Sequence, residues 1–197
     1  MVTHRRDAEN AEKIYKLCIL CASVVRYHSS NLYKSKSRGT PKTVQPIENL
    51  QTLKQQLDTL QLNYEIIEHR PITTVEEGLQ ELGIDAADGV STLILYADGN
   101  YVSIIRRDDK KLSFKKIKKL LKAHDLKFAA REQVIQLTNC DLGYVSLFNP
   151  GFHPLLDATI LARPFVYGGT GSPEHDLKIR PADLVQLTGA QVADITD

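Results

Sequence analysis

Three local patterns predict an α/β (α+β) domain, with a mixed, mostly antiparallel central sheet flanked by helices. The first is a pair of apolar, β-branched runs at 90–96 and 101–107, joined through Ala97-Asp98-Gly99-Asn100, a strong hairpin signal. The second is a stripe of Ile47, Leu50, Leu53, Leu57 and Leu60, whose spacings of three and four place all five on one helical face. The third is the alternation of short strand-like runs with helices along the rest of the chain, elements that bury their apolar faces best around one sheet.

Taken in order, Pro46 sits where a first-turn proline is tolerated and opens the leucine-striped helix. The domain is therefore read as 47–197, preceded by a basic N-terminal extension, 1–46, partly helical or disordered. Residues 64–68 alternate weakly and predict a strand. Thr74-Val75-Glu76-Glu77 matches a capping box, in which threonine hydroxyl and glutamate carboxylate satisfy free backbone donors, and predicts a helix to about Leu82, ended by Gly83. Ser113 is placed to cap a lysine-rich helix with Phe114, Ile117, Leu120 and Leu121 inward. A short helix is expected over 130–137, then strands over 165–167 and 177–179 around a glycine loop. Pro181 opens a last short helix, and 192–195 closes the chain as a strand.

Charge separates the chain into regions. The formal total is +1, yet residues 1–46 hold nine Lys/Arg against three Asp/Glu, and residues 106–122 hold nine against Asp108 and Asp109. A basic stripe on an otherwise acidic body is the footprint of a polyanion binder, although lysine-rich helices are often only solvated faces. The bulk features exclude several classes. No stretch approaches the ~18 apolar residues that cross a bilayer, so no membrane partner is expected. Three cysteines build no disulfide framework, and an odd count fits a reducing, cytoplasmic compartment. Cys18 and Cys21 have metal-like spacing without a second ligand pair, and the six histidines are scattered, so no metal is expected. Nucleotide-binding loops, His-Glu-x-x-His helices and Gly-x-Ser-x-Gly elbows are missing. Gly168-Gly169-Thr170-Gly171-Ser172 could cradle a phosphate if a helix came next; the strand expected there favours a hairpin turn, whose amides could still face a ligand.

The order of elements and the closing Leu187-Thr188-Gly189-Ala190-Gln191-Val192-Ala193-Asp194-Ile195-Thr196 resemble the YbaK/prolyl-tRNA editing domain family over roughly 47–197. Members hydrolyse wrongly charged aminoacyl-tRNA. The resemblance implies a pocket on the sheet for the aminoacylated 3′ end, positional and electrostatic catalysis leaning on the tRNA's own ribose hydroxyl and bound water, and no cofactor. The family's lysine at the start of the first central strand falls at Ser91. Its Gly-x-x-x-Pro loop falls at Gly143-Tyr144-Val145-Ser146-Leu147, keeping the glycine and losing the proline. The histidine of the prolyl-tRNA synthetase version falls at His175. By this correspondence Ser91, His175, Gly143 and Ser146 are the catalytic candidates. His69, Thr73, Thr74, Tyr144, Leu147, Gly169 and Gly171 are candidates for lining the substrate pocket. Arg106, Arg107, Lys115, Lys116, Lys118, Lys119 and Lys122 are candidates for contacting tRNA. The implied activity is trans-editing deacylation of a mischarged small amino acid, of the Ala- or Cys-tRNA(Pro) type. The changes at Ser91 and Leu147 leave open a second reading, an editing-fold module that binds tRNA or a synthetase as an adaptor.

Overall fold

The structure, a computed structural model, describes residues 46–197. The basic extension expected before Pro46, with Cys18 and Cys21, lies outside the described residues. The leucine stripe forms α1 (Pro46–Thr59). Then come β1 (Tyr64–Glu68), α2 (Val75–Leu82), β2 (Val90–Ala97), β3 (Asn100–Arg107) and α3 (Phe114–Leu121). The second half runs β4 (Leu126–Phe128), α4 (Arg131–Thr138), β5 (Leu155–Asp157), a 3-10 turn (Ala158–Ala162), β6 (Val166–Gly169), β7 (His175–Ile179), α5 (Pro181–Thr188) and β8 (Gln191–Ala193).

The architecture is the α/β one expected, with the strands divided between two sheets. A mixed five-stranded sheet has the order β4-β2-β3-β5-β8, and an antiparallel three-stranded sheet has the order β1-β7-β6. They meet at one parallel bridge, Gly89 to Tyr167, where the Tyr167 N–H donates to the Asp88 carbonyl at 2.9 Å. No local pattern announces that seam, because it joins segments far apart in the chain.

The hairpin forms as its turn residues require: β2 and β3 pair from Val90↔Arg107 to Ala97↔Asn100. Asp98 and Gly99 both take positive φ, 45° and 92°, matching the twist of the strands they join. Alternation along β3 then sorts the core. Val102 and Ile104 pack with Ile117 of α3, Leu95 and Ile195, while Ile105 joins Leu53, Leu57, Leu177, Ile179 and Leu184 between the sheets, α1 and α5. A strand buried on both faces reads as the continuous apolar run seen in the sequence.

Thr74 caps α2 as expected: its hydroxyl accepts from the Glu77 N–H at 3.2 Å, and Glu77 Oε2 accepts from the backbones of Thr73 and Thr74. Those bonds hold the Glu77 carboxyl below its ordinary range. Ser113 stands at the cap position of α3, but its hydroxyl makes no capping bond. It is buried, and its N–H donates to the Ile195 carbonyl at 2.9 Å, so the position serves to tie down the C-terminus. Among the described residues no helix is long and apolar enough to cross a membrane.

Candidate functional site

Where the seam between the sheets meets α2, backbone geometry leaves a cleft of about 60 Å³. His69 reaches it from the end of β1, Thr74 and Gly78 from α2, Ser91 from the start of β2, and Asp108 from just past β3. Gly143 and Tyr144 enter from a loop, Gly168 and Gly169 from β6, Ser172 from the turn after it, and Asp176 from β7. Close approach dictates several glycines of the cleft, among them Gly89 and Gly143. A Cβ at Gly89 would stand 2.6 Å from Asp108 Oδ2, and one at Gly143 would stand 2.2 Å from the Thr73 carbonyl oxygen.

Ser91 occupies the corner that the resemblance gives to a lysine. Its hydroxyl donates to Asp108 Oδ1 at 2.5 Å, so its hydrogen is already engaged. Arg106, the cross-strand partner of Ser91, lies 3.5 Å from the same oxygen and also donates to the Arg107 carbonyl at 2.5 Å. The Asp108 side chain is only 8% exposed. Burial pushes its carboxyl up, and nearby Asp176 and Asp109 add to this; the Ser91 bond and Arg106 oppose it without prevailing.

The second constellation is His69 and Asp176. His69 Nδ1 lies 2.8 Å from the Arg70 carbonyl, which can only accept, so Nδ1 carries the hydrogen and Nε2 of the neutral ring offers a lone pair. The side chain is 95% buried, since only 5% is exposed, and Nε2 makes no hydrogen bond within the protein. Asp176 Oδ2 stands 3.5 Å away, at the outer limit for a hydrogen bond and without its geometry, so it is a charge partner only for the protonated ring. Burial raises the Asp176 carboxyl, partly countered by His69. An imidazole with one nitrogen fixed on a carbonyl and the other free, with a carboxylate beside the free one, can take a proton from water and be stabilised as the cation.

The cleft thus gathers Ser91, Gly143, His69, Thr74, Tyr144 and Gly169 from the residues singled out in the sequence. Thr73 sits behind it, its N–H and hydroxyl donating to Glu77. The others lie elsewhere. Ser146 is buried, its hydroxyl accepting from the Phe148 N–H at 3.2 Å, and Leu147 is in the core between the sheets. His175 follows strand alternation away from its neighbour Asp176, and its Nδ1 meets the Ser172 hydroxyl at 3.0 Å. Gly171 packs against Asn49 and Cys140. The glycine loop is the hairpin turn between β6 and β7. Its Ser172, Glu174 and His175 amides bond within the turn, leaving none of those three for a phosphate.

The basic segment is also divided. Arg107 pairs with Asp109 through two bonds of 2.9 and 2.6 Å. Lys116 donates to Asp194 and the Thr196 carbonyl, and Lys118 to the His124 carbonyl. Lys115 and Lys119 on α3, and Lys122 just past its end, make no such bond, and all three are exposed. Asp108 and Asp176 were not legible as site residues, one lying in a charge run and the other beside a more conspicuous histidine. The available signal was strand parity: Asp108 is two residues beyond Arg106, the register partner of Ser91, and so shares its face.

Asp108 should oppose stability at neutral pH. A carboxyl whose folded pKa is raised binds its proton more tightly in the native state, so stability falls as pH rises through the folded value. Asp108→Asn keeps an acceptor for Ser91 and removes the buried charge. Its melting temperature is expected above wild type at pH 7, with the gain fading below the ordinary carboxylate value of about 3.9. A lower melting temperature at pH 7 would show the Arg106 pair outweighing burial.

Comparison with known proteins identifies the family and the fold. A family model described as an aminoacyl-tRNA editing domain matches residues 69–187, a span holding every residue named in the cleft. The chain is 28% identical over 153 residues to the proline–tRNA ligase of Caldicellulosiruptor saccharolyticus, covering 77% of this chain and 25% of the ligase. It is 36% identical over 110 residues to that of Acidithiobacillus ferrooxidans, covering 54% and 19%. The chain thus spans a quarter or less of these ligases. A crystal structure of a hypothetical protein superposes with a TM-score of 0.69 at 28% identity, over 74% of this chain and 99% of that one. A candidate trans-editing enzyme for prolyl tRNA synthetase shares the fold, with a TM-score of 0.68 at 24% identity over 76% and 97%. The chain belongs to the aminoacyl-tRNA editing domain family.

Proposed function

We propose that this protein is a cytoplasmic trans-editing deacylase, hydrolysing the ester that joins a mischarged small amino acid to the 3′-terminal ribose of tRNA, of the Ala- or Cys-tRNA(Pro) type. The observation that carries this reading is the unpartnered His69 Nε2 in a cleft of about 60 Å³. That volume suits a methyl- or thiol-sized side chain, being room for only a few waters. Water attacks the ester carbonyl, the C–O bond to the ribose breaks, and the products are free amino acid and tRNA with its hydroxyl restored. His69 takes the water's proton at Nε2 and returns it to the leaving ribose oxygen, while Asp176 stabilises the imidazolium between those steps. No residue of this chain needs to form a covalent intermediate.

The acceptor stem would lie along Lys115, Lys119 and Lys122, whose ammonium groups contact phosphates without reading sequence. Reversing all three to Glu is expected to weaken tRNA binding and flatten the slope of log K against log salt by about 2–3 units. An unchanged slope would remove α3 from the interface.

The test of the activity is hydrolysis of Ala-tRNA(Pro), Cys-tRNA(Pro) and Ser-tRNA(Ala) by the purified protein. Turnover of one above its uncatalysed rate supports the reading. The engaged Ser91 hydroxyl, which leaves no hydrogen for a substrate, favours a second reading: a module that binds tRNA or a synthetase as an adaptor. Salt-sensitive tRNA binding with no hydrolysis in the panel would select it.

A further inference from the structure

We propose that Asp108 is the recognition site for the free α-ammonium group of the bound aminoacyl ester, so that the cleft selects amino acids whose nitrogen is unblocked. This rests on the editing reading and adds the chemical class of substrate. Three observations carry it. The cleft is lined by the carboxylates of Asp108 and Asp176, and no lysine or arginine lines it. Both protein partners of Asp108, the Ser91 hydroxyl and Arg106, meet Oδ1, while Oδ2 lies against the Cβ-free edge of Gly89. His69 Nε2, in a side chain 95% buried, is unpartnered in the same cleft, which marks the space as built for a ligand.

The chemistry is complementary. An ammonium brings three donors and no acceptor, and a partly paired carboxylate offers the acceptor it needs. A charge buried beside a carboxylate stays charged because the partner offsets its lost hydration, so the pair forms with the amine protonated. An N-acylated amine keeps one N–H and loses the charge, leaving Asp108 Oδ2 without a charged partner while Arg106 remains at Oδ1. Ser91, by donating to Oδ1, orients the carboxylate and is a positioning residue. The roles are separate: His69 faces the attacking water, and Asp108 holds the other end of the aminoacyl group.

The experiment uses 3′-(L-alanylamino)-3′-deoxyadenosine, whose amide resists hydrolysis, and its N-acetyl derivative, titrated calorimetrically into the full chain. Wild type is expected to bind the free amine at least tenfold more tightly than the N-acetyl compound. Asp108→Asn should lose that preference while binding the N-acetyl compound as wild type does. His69→Ala should retain the preference. Equal binding of the two compounds by wild type, or of neither, overturns the proposal, as does a preference that survives in Asp108→Asn. Hydrolysis distinguishes this from the activity itself. If N-acetyl-Ala-tRNA and Ala-tRNA are accelerated equally over their own uncatalysed rates, the inference fails and the deacylase reading stands. A preference for the free amine with no hydrolysis leaves the inference standing and removes the deacylase.

Discussion

His69→Ala is expected to slow hydrolysis of the mischarged aminoacyl-tRNA by about 10²- to 10⁴-fold, the usual share of a positioned general base. The loss should appear in kcat with KM little changed, because the imidazole is assigned to the attacking water and not to the amino acid or the tRNA. The fold should survive. The one hydrogen bond His69 makes through its side chain is to the neighbouring Arg70 carbonyl, and the distant group that loses a partner, the Asp176 carboxyl, can bind a proton instead because burial already raises it. Asp176→Asn is the companion. It keeps the shape and removes the charge that stabilises the imidazolium, so kcat falls by less than in His69→Ala. In wild type the Asp176 carboxyl, raised by burial, carries that charge only once pH exceeds its raised value. The fall in rate caused by protonating Asp176 should therefore lie above the ordinary carboxylate range and be absent from Asp176→Asn, which keeps only the fall caused by protonating the base itself. A His69→Ala variant with undiminished kcat would end the general-base assignment, and catalysis would then rest on the ribose hydroxyl and positioning alone.

Gly143→Ala carries the largest expected loss of stability. Position 143 has φ of +99°, which a residue with a Cβ adopts only under strain, of order 1–3 kcal/mol. The new carbon would also stand 2.2 Å from the Thr73 carbonyl oxygen and 2.9 Å from its carbon, backbone atoms anchored by the Glu77 bonds that cap α2. Overpacking adds a further 1–3 kcal/mol or so, giving a total of about 3 kcal/mol or more, a sizeable part of a domain's net stability. Gly99→Ala is the control: its φ is +92°, with nothing within 4 Å of the added carbon. The urea midpoint of Gly143→Ala should fall well below that of Gly99→Ala. Equal midpoints would mean that the loop moves away from Thr73 freely, and the close approach would then carry no weight in shaping the cleft.

Local chemistry made most of the elements legible. The capping box at Thr74 and the Asp98-Gly99 turn are satisfied by neighbours a few residues away, the leucine stripe of α1 is legible from its helical period, and all three stand where the sequence places them. The short strands β4 and β5, three residues each, left no periodicity to read and exist because β2, β3 and β8 offer them partners. Within the site, position-by-position correspondence led to Ser91, His69 and Gly143, all in the cleft. It also led to Ser146 and His175, which do not line it: one is buried under the loop, and the other is turned to Ser172 by strand alternation.

By itself, then, the sequence determined the family, the helices and the longer strands, and the segments from which a site could be drawn. Those depend on periodicity, capping and turn chemistry, which act over a few residues. Only the tertiary structure decided that Asp108 and Asp176, 68 positions apart, share one cleft with His69. It also decided that the lysine corner became an engaged Ser91–Asp108 pair, and that four of the seven expected tRNA contacts are held by partners within the protein. Charge at a site is set by what long-range pairing brings within a few ångströms and removes from water, and no local pattern records it.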